Sequence, residues 1–246
     1  MPLAGKMQNK QKEIQFFDNF EANGYDVFNE RGYNRLLAEF KKIVNPIPGE
    51  IVIDFGCGTG AFTNKLKKFG LDCTGIDISS KCIEYARKKN PGIKFEVQDI
   101  EKTNLRSNSA DIVIFSGVLH HFSNFFSAVK EAHRVLRKGG RVFGYDPNKR
   151  NPIMWLYRDK KSPVHSTQGK TENERLLEAE EIYYVFKKAG FGHVVVRAVS
   201  DIGFKYVDSK IARLAIPLYN FTEYIADKTP FAKKYGSFLI SKGEKL

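Results

Sequence analysis

The sequence predicts an α/β fold on a mostly parallel sheet, and three observations carry that prediction. From Glu50 to about Asp146, short apolar runs rich in Ile and Val alternate with amphipathic stretches of helical period. That is the pattern of successive βαβ units, whose crossovers are right-handed. A glycine-rich turn, Gly56-Cys57-Gly58-Thr59-Gly60, follows the first apolar run directly and opens a helix. The chain has 246 residues, a length that buries about 70–75% of the unfolded surface and needs no staple of disulfides or metal.

The elements follow in order. Residues 1–12 are polar and basic, lack the apolar centre of a secretory signal, and read as a flexible tail ahead of a single domain over 13–246. Glu13 to Val44 is helical, with Leu36, Leu37, Phe40, Ile43 and Val44 on one face. The breaker Asn45-Pro46-Ile47-Pro48-Gly49 closes this N-terminal cap, 13–48. Strands are expected at Ile51–Ile53, Leu71–Ile76, Ile93–Val97, Ile112–Phe115 and Arg141–Tyr145, with helices at Ala61–Phe69 and Lys81–Lys89. Phe125, Val129, Ala132 and Leu136 mark a further helix, expected to stop at Lys138-Gly139-Gly140 as a C-cap. An insertion, 147–175, precedes an amphipathic helix through Ile182, Val185, Phe186 and Ala189. A strand at His193–Val199, a second, partly helical insertion at 200–234 and a last strand at Tyr235–Ser241 complete the chain.

Apolar residues make up 42% and charged residues 28%, which excludes wholesale disorder. No apolar run reaches the ~18 residues of a membrane span. Cys57, Cys73 and Cys82 are odd in number and lack C-x-x-C spacing, which argues against a disulfide framework or a zinc site and fits a cytoplasmic protein. The net charge of +12 favours anionic partners such as nucleic acid, an anionic membrane surface or an acidic metabolite. The lysines are spread along the chain, so a merely Lys-rich soluble surface is the plainer reading.

The glycine turn alone admits two ligands. Gly56-x-Gly58-x-x-Ala61 satisfies a dinucleotide pattern, and Asp77 lies where a ribose-binding acid belongs. Asp54, however, sits just ahead of the turn, where a carboxylate would repel a pyrophosphate and suit an amino-acid ammonium. Asp99, in Val97-Gln98-Asp99-Ile100 at a strand's carboxyl end, can accept a hydrogen bond from an adenine amino group. Downstream come Ser116-Gly117-Val118-Leu119-His120-His121-Phe122 and Arg134-Val135-Leu136-Arg137-Lys138-Gly139-Gly140.

In that order these segments resemble the class I S-adenosylmethionine-dependent methyltransferases, especially the small-molecule and lipid-modifying type that includes the quinone methyltransferases. The resemblance is good over about 25–146 and looser elsewhere. It implies a Rossmann-like, seven-stranded, mostly parallel sheet with helices on both faces and a final antiparallel strand. It implies S-adenosyl-L-methionine as cofactor, leaving as S-adenosyl-L-homocysteine, and no metal. Phe55, Gly56, Cys57 and Gly58 would carry the backbone under the methionine part, and Asp54 would hold its ammonium. Asp77 would accept from the ribose hydroxyls, Ile78 would pack on the adenine, and Gln98, Asp99 and Ile100 would frame its amino group. Ser116 would offer backbone near the sulfur, with Tyr25 and Tyr33 in a cap over the cofactor.

Because the sulfonium is already electrophilic, a base is needed only for a hydroxyl or acidic carbon acceptor. The candidates are His121 and Asp146, with His120 and His165 behind them. The place after the fourth strand holds Ser116-Gly117-Val118-Leu119 rather than Asn/Asp-Pro-Pro-Tyr/Phe, which disfavours amide or exocyclic-amine chemistry. No Pro-Cys nucleophile or RNA-recognition motif is present, so nucleic acid is disfavoured, although the charge keeps an RNA-modifying enzyme as the alternative. The insertions hold Trp155, Tyr157, Phe204, Tyr206, Tyr219, Phe221 and Tyr224 among basic residues, as expected for the walls of an apolar pocket with basic rims. Such a pocket suits a small-molecule or lipid-like acceptor. The Ile211–Ile225 helix would suit either peripheral contact with a membrane surface or a cap on the sheet edge.

Overall fold

The computed structural model describes residues 10–20, 26–163, 165, 170–207 and 210–246. Seven strands, β1 (Ile51–Phe55), β2 (Asp72–Asp77), β3 (Lys94–Val97), β4 (Ala110–Ser116), β5 (Leu136–Pro147), β6 (Phe191–Val199) and β7 (Phe238–Lys245), form one sheet in the order β3-β2-β1-β4-β5-β7-β6. Pairing is parallel from β3 to β5, while β7 runs antiparallel to both neighbours, β5 and β6. The expected Rossmann-like sheet with a final antiparallel strand is what the chain forms.

Burial on both faces explains the near-continuous apolar strands. Alternate residues of β4 enter opposite layers: Ile112 and Ile114 one, Val113 and Phe115 the other. The first layer is completed by α2 (Glu30–Val44), α3 (Ala61–Leu66) and α4 (Ser80–Lys89), through Leu36, Phe40, Leu66 and Ile83. The second is completed by α5 (Phe126–Val135) and α7 (Ala179–Lys188), through Val129, Ile182 and Phe186. Each such side chain, fully buried, contributes ~1.5–3 kcal/mol.

Three boundaries differ from expectation. The Glu13–Val44 helix is two helices, α1 (Lys10–Phe20) and α2, joined by a segment in which Phe28 bridges to Phe204. Lys10 and Lys12 therefore belong to α1 rather than to a tail. The helix expected to end at Gly139-Gly140 stops at Val135, because fully buried Leu136 turns extended and pairs with Ala110. Arg137–Gly140 then bulge out before Arg141 pairs with Ile112, with Gly139 at φ +77°, so these glycines shape a bulge and not a helix cap. Tyr235 ends a short helix, α9 (Ala232–Tyr235), three residues before β7 begins. The insertions also carry α6 (Pro152–Arg158) and α8 (Lys210–Asp227).

β1 is followed outward by β2 on one side and by β4 on the other. The reversal of strand order opens a crevice at the carboxyl ends of β1 and β4, the place where open α/β sheets bind ligands.

Candidate active site

The floor of the crevice is the glycine turn. Gly56 has φ +72°, and a Cβ there would lie 2.4 Å from Val118 Cγ2, so no larger residue fits without displacing that side chain. The Gly56 and Cys57 N–H groups donate to Ile76 O at 2.9 and 3.0 Å, and the Gly58 N–H donates to Asp77 Oδ2 at 2.9 Å. Three N–H groups that could cradle a diphosphate are thus spent within the protein. Asp77 Oδ1 accepts from the Ser79 N–H at 2.9 Å, so the carboxylate is aimed from both sides. Burial pushes the Asp77 carboxyl up, against the bonds from Ser79 and Gly58.

A cavity of about 180 Å³ stands on this floor, lined by Gly56, Cys57, Gly58, Asp77, Ile78, Asp99, Ile100, Ser116, Tyr33 and His121 among others. These ten are residues the sequence singled out. Four others are placed elsewhere. Phe55 is fully buried, its ring against Phe115, and acts as a strut under the turn. Gln98 turns aside, its Nε2 donating to Glu96 and its Oε1 accepting from the Asn104 N–H. Asp54 and Asp146 are wholly buried behind the wall. Tyr25 lies outside the described residues.

Asp54 Oδ1 accepts from Ser116 Oγ at 2.5 Å and Oδ2 from Thr63 Oγ1 at 2.6 Å. It therefore reaches the cavity through Ser116. Burial raises its pKa from 3.8 to about 7, despite both hydroxyls, which weakens the expectation that its charge repels a pyrophosphate. The carboxyl keeps in the native state a proton that the unfolded chain releases. The linked penalty is absent below about pH 4, grows as pH rises and is complete above about pH 7. Asp54→Asn should accordingly raise the melting temperature at about pH 8 but not at about pH 4, as thermal denaturation followed by circular dichroism would show.

Asp146 Oδ1 accepts from the His120 backbone N–H at 3.1 Å and faces His120 Nδ1 at 2.9 Å. Burial pushes the His120 imidazole well down and the Asp146 carboxyl well up, each towards its neutral form. Asp146 thus orients His120 from behind and does not meet the cavity as a base would. His120, His121 and Glu174 approach within 4.8 Å of one another. Arg158, 2.9 Å from Glu174 Oε1, already supplies the positive charge there.

The roof is α1, part of the N-terminal cap the sequence predicted, but none of its residues was singled out for the site. Lys10 Nζ lies 2.5 Å from both Asp99 Oδ2 and Glu101 Oε2. Glu13 Oε2 is 3.5 Å from His121 Nδ1, which also faces Thr171 Oγ1 at 3.2 Å. Asp18 accepts from Ser79 Oγ at 2.7 Å, and Phe17 meets the His121 ring edge-on at 5.3 Å. Burial pushes the Glu13 carboxyl up, but bonds from His121, Thr171 and Asn173 outweigh it and hold it below the usual range. The usable signal was the i, i+4 spacing of Glu13 and Phe17 on a helix that starts before residue 13.

Part of the cavity wall is aromatic, though the insertions supply little of it. Of their aromatics Phe204 lines the cavity; Tyr219 backs Phe204 at 5.4 Å, while Trp155 and Phe221 are exposed. The wall comes instead from Phe28, Tyr33, Tyr145 and Phe238, with Arg158 and His120 as polar members. His165 is not among the lining residues. Burial, with Tyr145 and Asp26 nearby, holds the Tyr33 hydroxyl protonated, and it donates to Asp26.

Residues 53–144 match a family described as a methyltransferase domain. The chain is 29% identical over 157 residues to a ubiquinone biosynthesis O-methyltransferase of Bordetella avium, covering 60% of this chain and 65% of that one. It is 33% identical over 127 residues to a demethylmenaquinone methyltransferase of Chlorobaculum parvum, covering 50% and 52%. The chain thus spans less than two thirds of the length of these relatives. A crystal structure of a SAM-dependent methyltransferase from Thermotoga maritima shares the fold, with TM-score 0.64 at 21% identity over 95% of this chain and 99% of that one. The domain match over residues 53–144, the sheet order and the crevice with its glycine floor agree: this stretch carries a methyltransferase domain on a fold shared with solved SAM-dependent methyltransferases.

Proposed function

We propose that the chain moves a methyl group from S-adenosylmethionine to an oxygen or carbon of a small-molecule or lipid-like acceptor. One observation carries the reading. Asp77 and Asp99, on and just beyond the ends of adjacent strands, open onto one cavity whose glycine floor has its N–H groups engaged within the protein. Two carboxylates over such a floor suit a nucleoside joined to an amino acid better than a diphosphate. The names of the relatives, drawn from ubiquinone and menaquinone biosynthesis, and the aromatic wall favour an apolar or amphiphilic acceptor. Peripheral contact with a membrane surface, expected of the α8 segment, belongs to the same reading.

When bound, the cofactor supplies a sulfonium-activated methyl group. Asp77 accepts from the ribose hydroxyls, Ile78 and Ile100 flank the base, and the Gly56–Gly58 backbone passes beneath the amino-acid part. Ser116, held by Asp54, fixes the β4 end of the floor. Tyr33 is locked by Asp26, which also takes Lys205 at 2.8 Å, so the aromatic wall is tied to the second insertion. Holding donor and acceptor in line can contribute ~7–11 kcal/mol. With His121 Nδ1 facing Glu13 and Thr171, a ring proton held there would leave Nε2 as the nitrogen to take a phenol's or acidic carbon's proton.

Lys10 occupies the carboxylate oxygen that would read the adenine amino group. Both partners are about one-third exposed, so the pair is weak. Lys10→Met should tighten S-adenosylhomocysteine binding by about two- to fivefold in calorimetry.

The reading is tested with labelled S-adenosylmethionine and parallel acceptors: catechol and quinol lipids, acyl carboxylates and tRNA. Label in the lipid-like acceptors is expected. Label in tRNA alone, or calorimetric binding of NAD(P) without binding of S-adenosylhomocysteine, overturns it.

A further inference from the structure

The outward face of α8 is apolar along its length. Leu214, Leu218, Phe221 and Ile225 are 85%, 66%, 61% and 45% exposed. Their offsets of four, seven and eleven residues keep them within about 60° of arc at ~100° per residue. The fold does not need this stripe, because the opposite face of α8 anchors the helix. Ile216 and Tyr219 pack on the core, and buried Glu223 accepts from Ser237 Oγ at 2.6 Å and from Asn151 Nδ2 at 3.3 Å. Next to the stripe, exposed Phe231 and Ile153 line a groove with Ala226.

The rim of this face is basic and aromatic. Arg213 lies over the Tyr206 ring at 4.5 Å, Lys228 over Tyr224 at 3.9 Å and Lys234 over Tyr235 at 5.2 Å. The two acids of α8 are withdrawn from it: Glu223 is buried, and Asp227 is 2.9 Å from Arg35. An exposed apolar stripe edged by cations, on a chain of net charge +12, matches an anionic lipid surface in both hydrophobicity and charge.

We infer that α8 docks the protein on an anionic bilayer, its outer stripe seated at the headgroup–acyl boundary and its basic rim on the lipid phosphates. This deepens the proposed function and rests on it for the lipid-like acceptor. The inner face of α8 is joined to the cavity wall: Asn220 bonds both the Phe204 N–H, at 2.9 Å, and its carbonyl, at 2.8 Å, and Phe204 belongs to the aromatic part of that wall. One helix, ~10–12 Å across, therefore separates the membrane from the cavity, a distance suited to an acceptor partitioned into lipid.

Flotation with phosphatidylcholine vesicles, with and without phosphatidylglycerol, is the test. Binding to the anionic vesicles that weakens steeply with salt is expected. Leu218→Glu and Phe221→Glu should each reduce it by about tenfold or more. Lys228→Glu combined with Lys234→Glu should do so through charge alone. S-adenosylhomocysteine affinity, measured separately by calorimetry, should be unchanged in all of them, which shows that the variants fold and keeps failure of docking distinct from failure of the cofactor reading. Absence of vesicle binding, equal binding by the Leu218 and Phe221 variants, or a dimer in light scattering that those variants split without any vesicle binding would each overturn the inference.

Discussion

Asp77→Ala should weaken S-adenosylhomocysteine binding by about 10²–10⁴-fold. The wild-type carboxylate lines the cavity and is already aimed by the Gly58 and Ser79 N–H groups, each at 2.9 Å. Two bonds from ribose hydroxyls to a charged acceptor contribute ~1.5–3 kcal/mol each, and their sum gives that ratio. The substitution also frees the Gly58 N–H, which loosens the turn beneath the amino-acid part. Asp99→Asn should cost far less, because Asp99 is about one-third exposed and keeps a carbonyl acceptor. Isothermal calorimetry on the three proteins decides the matter. An Asp77→Ala variant that folds and binds within about threefold of wild type would remove Asp77 from the ribose site.

His121→Ala should lower kcat by about 10²–10⁴-fold on a hydroxyl or acidic-carbon acceptor, the range of general-base catalysis, with cofactor affinity unchanged. His121 lines the cavity, with Nδ1 held between Thr171 and Glu13 and its ring edge-on to Phe17. Glu13→Gln keeps the shape and removes the charge facing the imidazole. It should lower kcat by about tenfold with KM little changed, and Glu13→Asp should restore part of the loss. The base would then be complete only with α1 seated, so roof closure and proton removal are coupled. Full kcat in His121→Ala would show that the imidazole only pins the loop after β4.

Local pattern was enough for much of the architecture. The alternation of apolar runs and amphipathic helices specified the strands up to β4 within a few residues, since parallel strands buried on both faces must be apolar throughout. The glycine turn was equally plain. Gly56 needs a positive φ and a bare Cα against Val118, a demand met by residue type alone. Asp77 and Asp99 were legible because the carboxyl end of a parallel strand is a fixed place relative to the crevice.

What stayed hidden depends on distance in space rather than on order along the chain. Leu136 continues the apolar face of α5 and is also a strand residue; its pairing with Ala110 decides, and no local signal reports a partner 26 positions away. Asp54 and Asp146 occupy strand-end positions that look functional, yet β-strand alternation and the packing of Ser116 and His120 put both carboxyls behind the wall. The largest omission was which part of the N-terminal cap forms the roof. α1 is a short helix whose place is set by Asp99, His121 and Ser79, contacts made across the folded crevice, and the i, i+4 spacing of Glu13 and Phe17 says which residues share a face but not what that face covers. Backbone propensity and burial periodicity are short-range properties and can be read from sequence; which face of a strand end meets the cavity, and what closes over it, follows only once the layers have packed.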